Sequence, residues 1–372
     1  MDNSETQLPY LIALSSIPGV GSILAKQLIS YCGSAQEVFT SSHAQLLKIP
    51  SIGRQLAKAI RERPLLEEAQ AQLSAARQQE VAVLSYLSPH YPARLKHTPD
   101  SPLVLFSKGQ ADLNAGKVLA VVGTRKATAY GKSATISLID GLKDFKDLLI
   151  VSGLAYGIDI TAHRECLRVG IPTVGVQANG LGMVYPPLHH DTAQQMLWQQ
   201  GGLLSEYPLD ARPDAHRFPS RNRIIAGLAD VVVVAEARSK GGALITASLA
   251  NSYNREVCAI PGDIRRDTYA GCHRLIRKNQ AHLITNAADL AELMGWEKSQ
   301  SNQNGFQLFL TLEKPEERKV CEILRQGDLQ LDLLSIQSGI PLNKLAGLLL
   351  NLEFRGLVRS APGKIFGLAK KV

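Results

Sequence analysis

No segment of this 372-residue chain approaches the run of about 20 apolar residues that a membrane span needs. Its opening residues, MDNSETQLPY, lack the basic-then-apolar order of a secretion leader, so a cytoplasmic location is expected. Cysteine is sparse: Cys32, Cys166, Cys258, Cys272 and Cys321 are widely spaced, and no CxxC or CxxH pair joins any two. That pattern argues against both a zinc site and a disulfide framework, and neither metal nor cofactor is expected. Asp159 and His163 stand four apart and could share a helix face as an acid/base pair, but no nucleophile lies at a recognisable spacing from them. Asp159 is read instead as a helix-start residue and His163 as packed or hydrogen-bonded. No catalytic residue is assigned, and the chain is not expected to be an enzyme.

What is present is enough apolar material, 45% of residues, for two or three domains. Lys and Arg number 41 against 33 Asp and Glu, a net charge of +8 that favours a polyanionic partner. Residues 1–80 read as short helices containing two similar turns, IPGVGSILAKQLI and IPSIGRQLAKAI. Each resembles a helix-hairpin-helix element (SAM-like in arrangement), in which glycine lets backbone N–H groups at a helix start approach a phosphate. Ser51 replaces Gly19 in the second copy, which makes that turn less permissive; a helical bundle that merely packs is the alternative.

From 81 to 296 apolar strands alternate with helical stretches: VLAVVGT, LLIVSG, PTVGVQA, GLLSEY, DVVVVAEA and EVCAIPG. Their nearly continuous Val, Ile and Leu content predicts a mostly parallel sheet covered on both faces, hence a doubly wound, Rossmann-like α/β domain. Residues 297–314 read as a polar linker. Residues 315–372 then read as three helices followed by strand, turn and strand, a winged-helix pattern. Its third helix offers mainly leucines, with only Asn343, Lys344 and Arg355 able to reach a groove, so protein contact or internal packing is expected there.

In an open parallel sheet ligands sit beyond the carboxyl ends of the strands. The first end reads GTRKATAYGK, which is not the GxGxxG of dinucleotide sites. Gly123 permits a sharp turn, Thr124 and Arg125 can hold an anion beside Lys126, and a helix start faces them. The second end reads SGLAYGID, and the fifth reads ARSKGG, where Ser239, Gly241 and Gly242 prepare another helix start. Together with Arg217, Arg221 and Arg223 in FPSRNR, these loops predict a phosphate-lined pocket. One of Arg221 and Arg223 is expected to touch phosphate and the other to pair with Glu206 or Asp230; the residues do not say which. Replacing both by alanine is expected to weaken binding while leaving the fold intact.

This ordered set resembles the DprA (Smf) family, the DNA-processing proteins of bacterial natural transformation. The resemblance implies a protein without enzymatic activity that binds single-stranded DNA, forms a homodimer and loads the RecA recombinase, with single-strand-binding protein as a further partner. It also implies a DNA pocket at Gly123, Thr124 and Arg125, at Gly153, Tyr156 and Gly157 of the SGLAYGID loop, at Asn179, and at Phe218, Arg221, Asn222 and Arg223. Two positions depart from the family pattern: Tyr156 stands where a cation is usual, and His273 where asparagine is. A tyrosine ring can instead stack on a base. Tyr130 and Phe218 are further aromatic candidates. The rival is a nucleoside-monophosphate phosphoribohydrolase of the lysine-decarboxylase-like family, whose PGGxGTxxE loop carries a catalytic glutamate. Here GGALITAS has Ala243 after the glycines and no Glu in the first helical turn, which argues against hydrolysis.

Overall fold

The computed structural model describes residues 3–62, 65–297, 314–325, 327–355, 357–361 and 365–368. The chain divides into two compact units, Met1–Glu297 and Lys298–Val372. The linker expected at 297–314 lies, but for its first and last residues, outside the described residues.

The first unit opens with six helices: α1 (Asn3–Ser15), α2 (Ser22–Cys32), α3 (Ala35–Thr40), α4 (His43–Leu46), α5 (Arg54–Glu62) and α6 (Leu65–Gln78). The two related sequence turns lead into α2 and α5 with matching backbone bonds. Val20 N–H donates to Ile17 O (3.0 Å) and Ile52 N–H to Ile49 O (3.2 Å). Gly19 takes φ +88°, and Ser51 is held in the same left-handed region at +69°. The serine therefore keeps the turn, with backbone strain that glycine avoids. Leu11, Leu14 and Leu28 from these helices share an apolar cluster with Leu103, Val104 and Phe106, so the helices and the sheet edge are packed together.

Nine strands follow: β1 (Ala82–Ser85), β2 (Val104–Gly109), β3 (Lys117–Gly123), β4 (Leu148–Ser152), β5 (Thr173–Val176), β6 (Gly202–Ser205), β7 (Val231–Glu236), β8 (Glu256–Ala259) and β9 (His282–Leu283). They form one sheet in the order β1-β2-β6-β5-β4-β3-β7-β8-β9. The six strands read from the sequence are β3 to β8. They are legible because both faces are buried: Val118, Ala120 and Val122 enter one apolar layer, Leu119 and Val121 the other. Not anticipated were β2, which runs antiparallel to β6 and brings β1 with it, and the two-residue β9.

The connecting helices are α7 (Ala93–Lys96), α8 (Ala129–Asp140), α9 (Ile158–Val169), α10 (His190–Trp198), α11 (Arg217–Leu228), α12 (Gly242–Ser252), α13 (Ala270–Arg277) and α14 (Ala287–Met294). After β3 the chain steps outward through β4, β5 and β6, then returns by α11 to place β7 against the other side of β3. Strand order thus reverses between β3 and β7. Loops diverge there and leave a crevice at the carboxyl ends of the strands.

The second unit holds α15 (Pro315–Leu324), α16 (Leu331–Ser338) and α17 (Leu342–Phe354) with β10 (Leu329–Gln330), β11 (Val358–Ala361) and β12 (Ile365–Leu368), in the sheet order β10-β12-β11. Leu345, Leu349 and Leu352 of α17 point into its core. This is the winged-helix arrangement read from the sequence; the turn at 362–364 lies outside the described residues. Among the described residues no single helix is long and apolar enough to cross a membrane.

Candidate nucleic-acid interface

At the end of β3 the register against β7 slips between Val122 and Gly123. A side chain at Gly123 would strike Ile158 within 2.4 Å, so glycine is what lets the strand end close on α9. The next turn is fixed from beneath by Glu236, a fully buried strand residue. Its carboxylate accepts the Thr128 N–H (3.0 Å) and hydroxyl (2.8 Å), while the same hydroxyl oxygen caps α8 by accepting from Gly131 N–H (3.1 Å). Arg125 projects from this braced turn, its guanidinium 4.9 Å from the centre of the Phe218 ring.

The SGLAYGID loop crosses under that turn. Gly157 has φ +78°, and a side chain there would meet Thr124 O at 2.2 Å. A side chain at Gly153 would meet the Arg221 guanidinium at 2.6 Å. Arg221, only 4% exposed, donates through Nη1 to Gly153 O (2.6 Å) and to Val176 O, and through Nε to Asn222 Oδ1 (3.2 Å). Asn222 in turn donates to Gly242 O (3.3 Å), tying the floor of the crevice to the first residue of α12. That helix has no side-chain cap, and its first two residues, Gly242 and Ala243, line the crevice.

The crevice encloses about 290 Å³. Around it stand Arg125, Arg221, Arg238 and Lys240, and among the described residues lining it the one carboxylate is Asp159. Asp159 accepts from Gly153 N–H (3.2 Å). Burial pushes its pKa above the usual carboxylate range, against the pull of Arg221. Burial likewise draws Arg221 down to about 10, which leaves it a cation at neutral pH. Behind the floor His163 is fully buried, its Nδ1 2.7 Å from the Thr173 hydroxyl, and desolvation drops its pKa to about 3. The sequence readings of Asp159 in the first turn of α9 and of His163 as a hydrogen-bonded packed residue agree with this placement.

The nominated residues divide into four groups. Gly123, Thr124, Arg125, Phe218, Arg221, Asn222, Gly241 and Gly242 meet at the crevice, with Gly153 directly beneath Arg221. Lys126, Tyr156 and Gly157 lie in an adjoining groove that Arg125 also lines. Arg217 and Arg223 face a different cavity, beside Val20, Gly21 and Ser22. Asn179 and Ser239 line neither the crevice nor that groove.

The geometry also gives several of these candidates partners inside the fold. Arg223 is the arginine that pairs with Glu206, whereas Asp230 is held by Arg94 (2.6 Å). Arg217 lies over the Tyr207 ring at 4.5 Å and donates to Arg212 O (3.0 Å). Asn179 is a buried loop staple, donating to Gly180 O and Met183 O at 2.9 Å each. Arg221 is built into the floor by bonds to two carbonyls, so its replacement is expected to cost stability and not binding alone. Tyr130 is bound through its hydroxyl to Pro261 O (2.8 Å), and His273 Nε2 lies 3.1 Å from Gly262 O. Arg238 and Lys240 were passed over in the sequence, although both lie in the ARSKGG strand end; the rule that singled out its glycines applies equally to its cations.

A cation-lined crevice at the switch point of a Rossmann-like sheet, with a winged-helix unit in the same chain, defines the class. Comparison with known proteins identifies the family within it. Residues 82–295 match the model for DNA recombination-mediator protein A, and residues 311–364 match the DprA winged helix domain. The chain belongs to the DprA/Smf family of DNA-processing, recombination-mediator proteins. Protein Smf of Synechocystis sp. is 32% identical, with 98% of each chain covered. The X-ray structure of DNA processing protein A from Streptococcus pneumoniae superposes with a TM-score of 0.61 at 32% identity, covering 78% of this chain and 97% of that one. A structure of the Helicobacter pylori protein, described for its single-stranded DNA binding mode, gives a TM-score of 0.53 at 30% identity, covering 59% and 98%.

Proposed function

We propose that this chain binds single-stranded DNA at the switch-point crevice and, as a homodimer, presents it to the RecA recombinase, without chemistry of its own. The observation that carries the reading is the set of cations without an ion-pair partner among the described residues, Arg125, Arg238 and Lys240, gathered around the uncapped start of α12. None of the three has a carboxylate partner among the described residues. Such a site holds phosphate, and Phe218 beside Arg125 adds an aromatic face at its rim. Membership of a recombination-mediator family supports the recombinase step, and the Helicobacter pylori relative supports the single strand as ligand. A hydrolase is disfavoured because the Asp159 carboxylate is engaged by Gly153 N–H in a desolvated floor.

The test is retention of labelled oligothymidylate across a salt series, with base release from nucleoside monophosphates assayed in parallel. Affinity that falls steeply with salt, with no base released, is the expected result, because neutralised phosphates release counterions. Salt-insensitive retention or released base would overturn the reading. The recombinase step is tested by filament assembly on DNA precoated with single-strand-binding protein, in the presence and absence of this chain.

A further inference from the structure

The groove beyond Arg125 is larger than the crevice, about 640 Å³ against 290 Å³, and the two are joined by that arginine. Its walls are consecutive turns of two helices. Lys132, Ile136 and Asp140 follow one another at four-residue spacing on α8, facing Ile160, Arg164 and Arg168 at the same spacing on α9. The far end is closed by an ion cluster in which Arg168 bridges Asp140 (2.7 Å) and Glu165 (2.6 Å). The stretch from Lys132 to Asp140 spans about 12 Å at the rise of an α-helix.

That closure decides the charge of the groove. Glu165, the acid within it, is neutralised by Arg168. Lys126, Lys132 and Arg164 are exposed and have no carboxylate partner among the described residues; Arg164 makes only a long bond from Nε to the Thr192 hydroxyl (3.4 Å). At the mouth stands Tyr156, 43% exposed, its ring held edge-on by His189 at a centroid distance of 4.9 Å. The buried His189 also donates through Nδ1 to Leu154 O (2.7 Å), pinning a loop in which Leu154 sits at φ +54°. A non-glycine residue held in that region marks a loop kept in one shape by its surroundings. The tyrosine ring is therefore a fixed platform beside a row of cations.

We infer that a bound strand continues from the crevice past Arg125 into this groove, with Lys126, Lys132 and Arg164 on successive phosphates and Tyr156 stacked on a base. His189 is a positioning residue that sets the Tyr156 ring. The inference rests on the single-strand reading above and adds the direction of the strand and a second set of contacts.

The experiment uses the full-length chain and two labelled oligothymidylates, one of about 4 nucleotides and one of about 20, which bracket the site sizes of such grooves. The Lys132→Gln, Arg164→Gln double variant changes exposed side chains, and circular dichroism checks its fold. On the long strand its salt slope is expected to fall by about 1.4, two contacts at about 0.7 each, with affinity reduced about tenfold or more at low salt. On the short strand it is expected to match the unaltered chain. Tyr156→Ala is expected to weaken the long strand about tenfold, and Tyr156→Phe to restore it. Unaltered affinity and slope on the long strand would overturn the groove while leaving the crevice standing, provided Arg125→Ala still loses binding. Equal weakening of both lengths would overturn the ordered path, and failure of the unaltered chain to retain either strand would remove the crevice and the groove together.

Discussion

Two regions of this molecule have the outline of a nucleic-acid contact, and they differ in what happens to their cations. At the crevice Arg125, Arg238 and Lys240 stand, among the described residues, without carboxylate partners near the uncapped start of a helix. On the winged helix the two cations that could reach a groove are engaged: Lys344 with Glu316 (2.7 Å) and Arg355 with Glu317 (2.9 Å). That unit turns apolar groups outward instead, with Phe354 85% and Ile336 77% exposed. The comparison teaches that a net charge of +8 says little about where an anion binds. What matters is which cations remain unneutralised and whether backbone donors converge with them.

The largest effect expected from disturbing this contrast is on the crevice floor. Arg221→Ala leaves the Gly153 and Val176 carbonyls without their donor and Asp159 without the larger of the positive charges acting on it. A loss of about 3–5 kcal/mol in urea unfolding is expected, the range for breaking buried charge arrangements. A change under about 1 kcal/mol would mean that the floor is not held by this residue.

Next comes the buried histidine behind that floor. His163 has its pKa depressed to about 3 in the folded chain, against about 6.5 when unfolded. Above pH 6.5 neither state is protonated and the stability is fully present. As the pH falls toward 3 the unfolded chain takes up a proton that the folded one refuses, so stability is lost by up to about 1.4 kcal/mol per unit. Denaturant melts at pH 7 and about pH 5 should show this loss in the natural chain and its attenuation in a folded His163→Gln variant.

Smaller again is the effect of Arg125→Ala. The side chain is exposed, so the fold is expected to be unchanged while single-strand affinity falls about tenfold, or ~1.4 kcal/mol. Anisotropy with oligothymidylate measures it, and unchanged affinity in a folded variant would erase the distinction between the two regions. Smallest is Lys344→Ala on the winged helix, whose exposed ion pair contributes about 0–1 kcal/mol to stability. Its single-strand affinity is expected to stay within about twofold of the natural chain. A loss matching that of Arg125→Ala would make the winged helix an equal partner in binding.

Much of the fold is legible without coordinates, for a local reason. Strands β3 to β8 are buried on both faces, so their composition alone marks them, and GTR, SGLAYGID and ARSKGG follow directly at strand ends. Less legible are β1 and β2, which extend the sheet antiparallel at one edge, and β9, which has two residues. Ser51 shows a middle case: its replacement of glycine is visible in the sequence, but only packing reveals that the left-handed turn survives.

The site divides along the same line. Its position at the strand ends, its glycine turns and its stock of arginines follow from the order of residue types, because turn chemistry and strand burial are short-range properties. Which arginine faces the ligand depends on distant partners: Glu206 claims Arg223, while the carbonyls of Gly153 and Val176 hold Arg221 beneath the crevice. Asn179, near the same edge in sequence, is turned into its own loop. Those assignments come from atoms brought together across strands and helices, and only the folded chain decides which polar groups are satisfied inside it and which remain for a ligand.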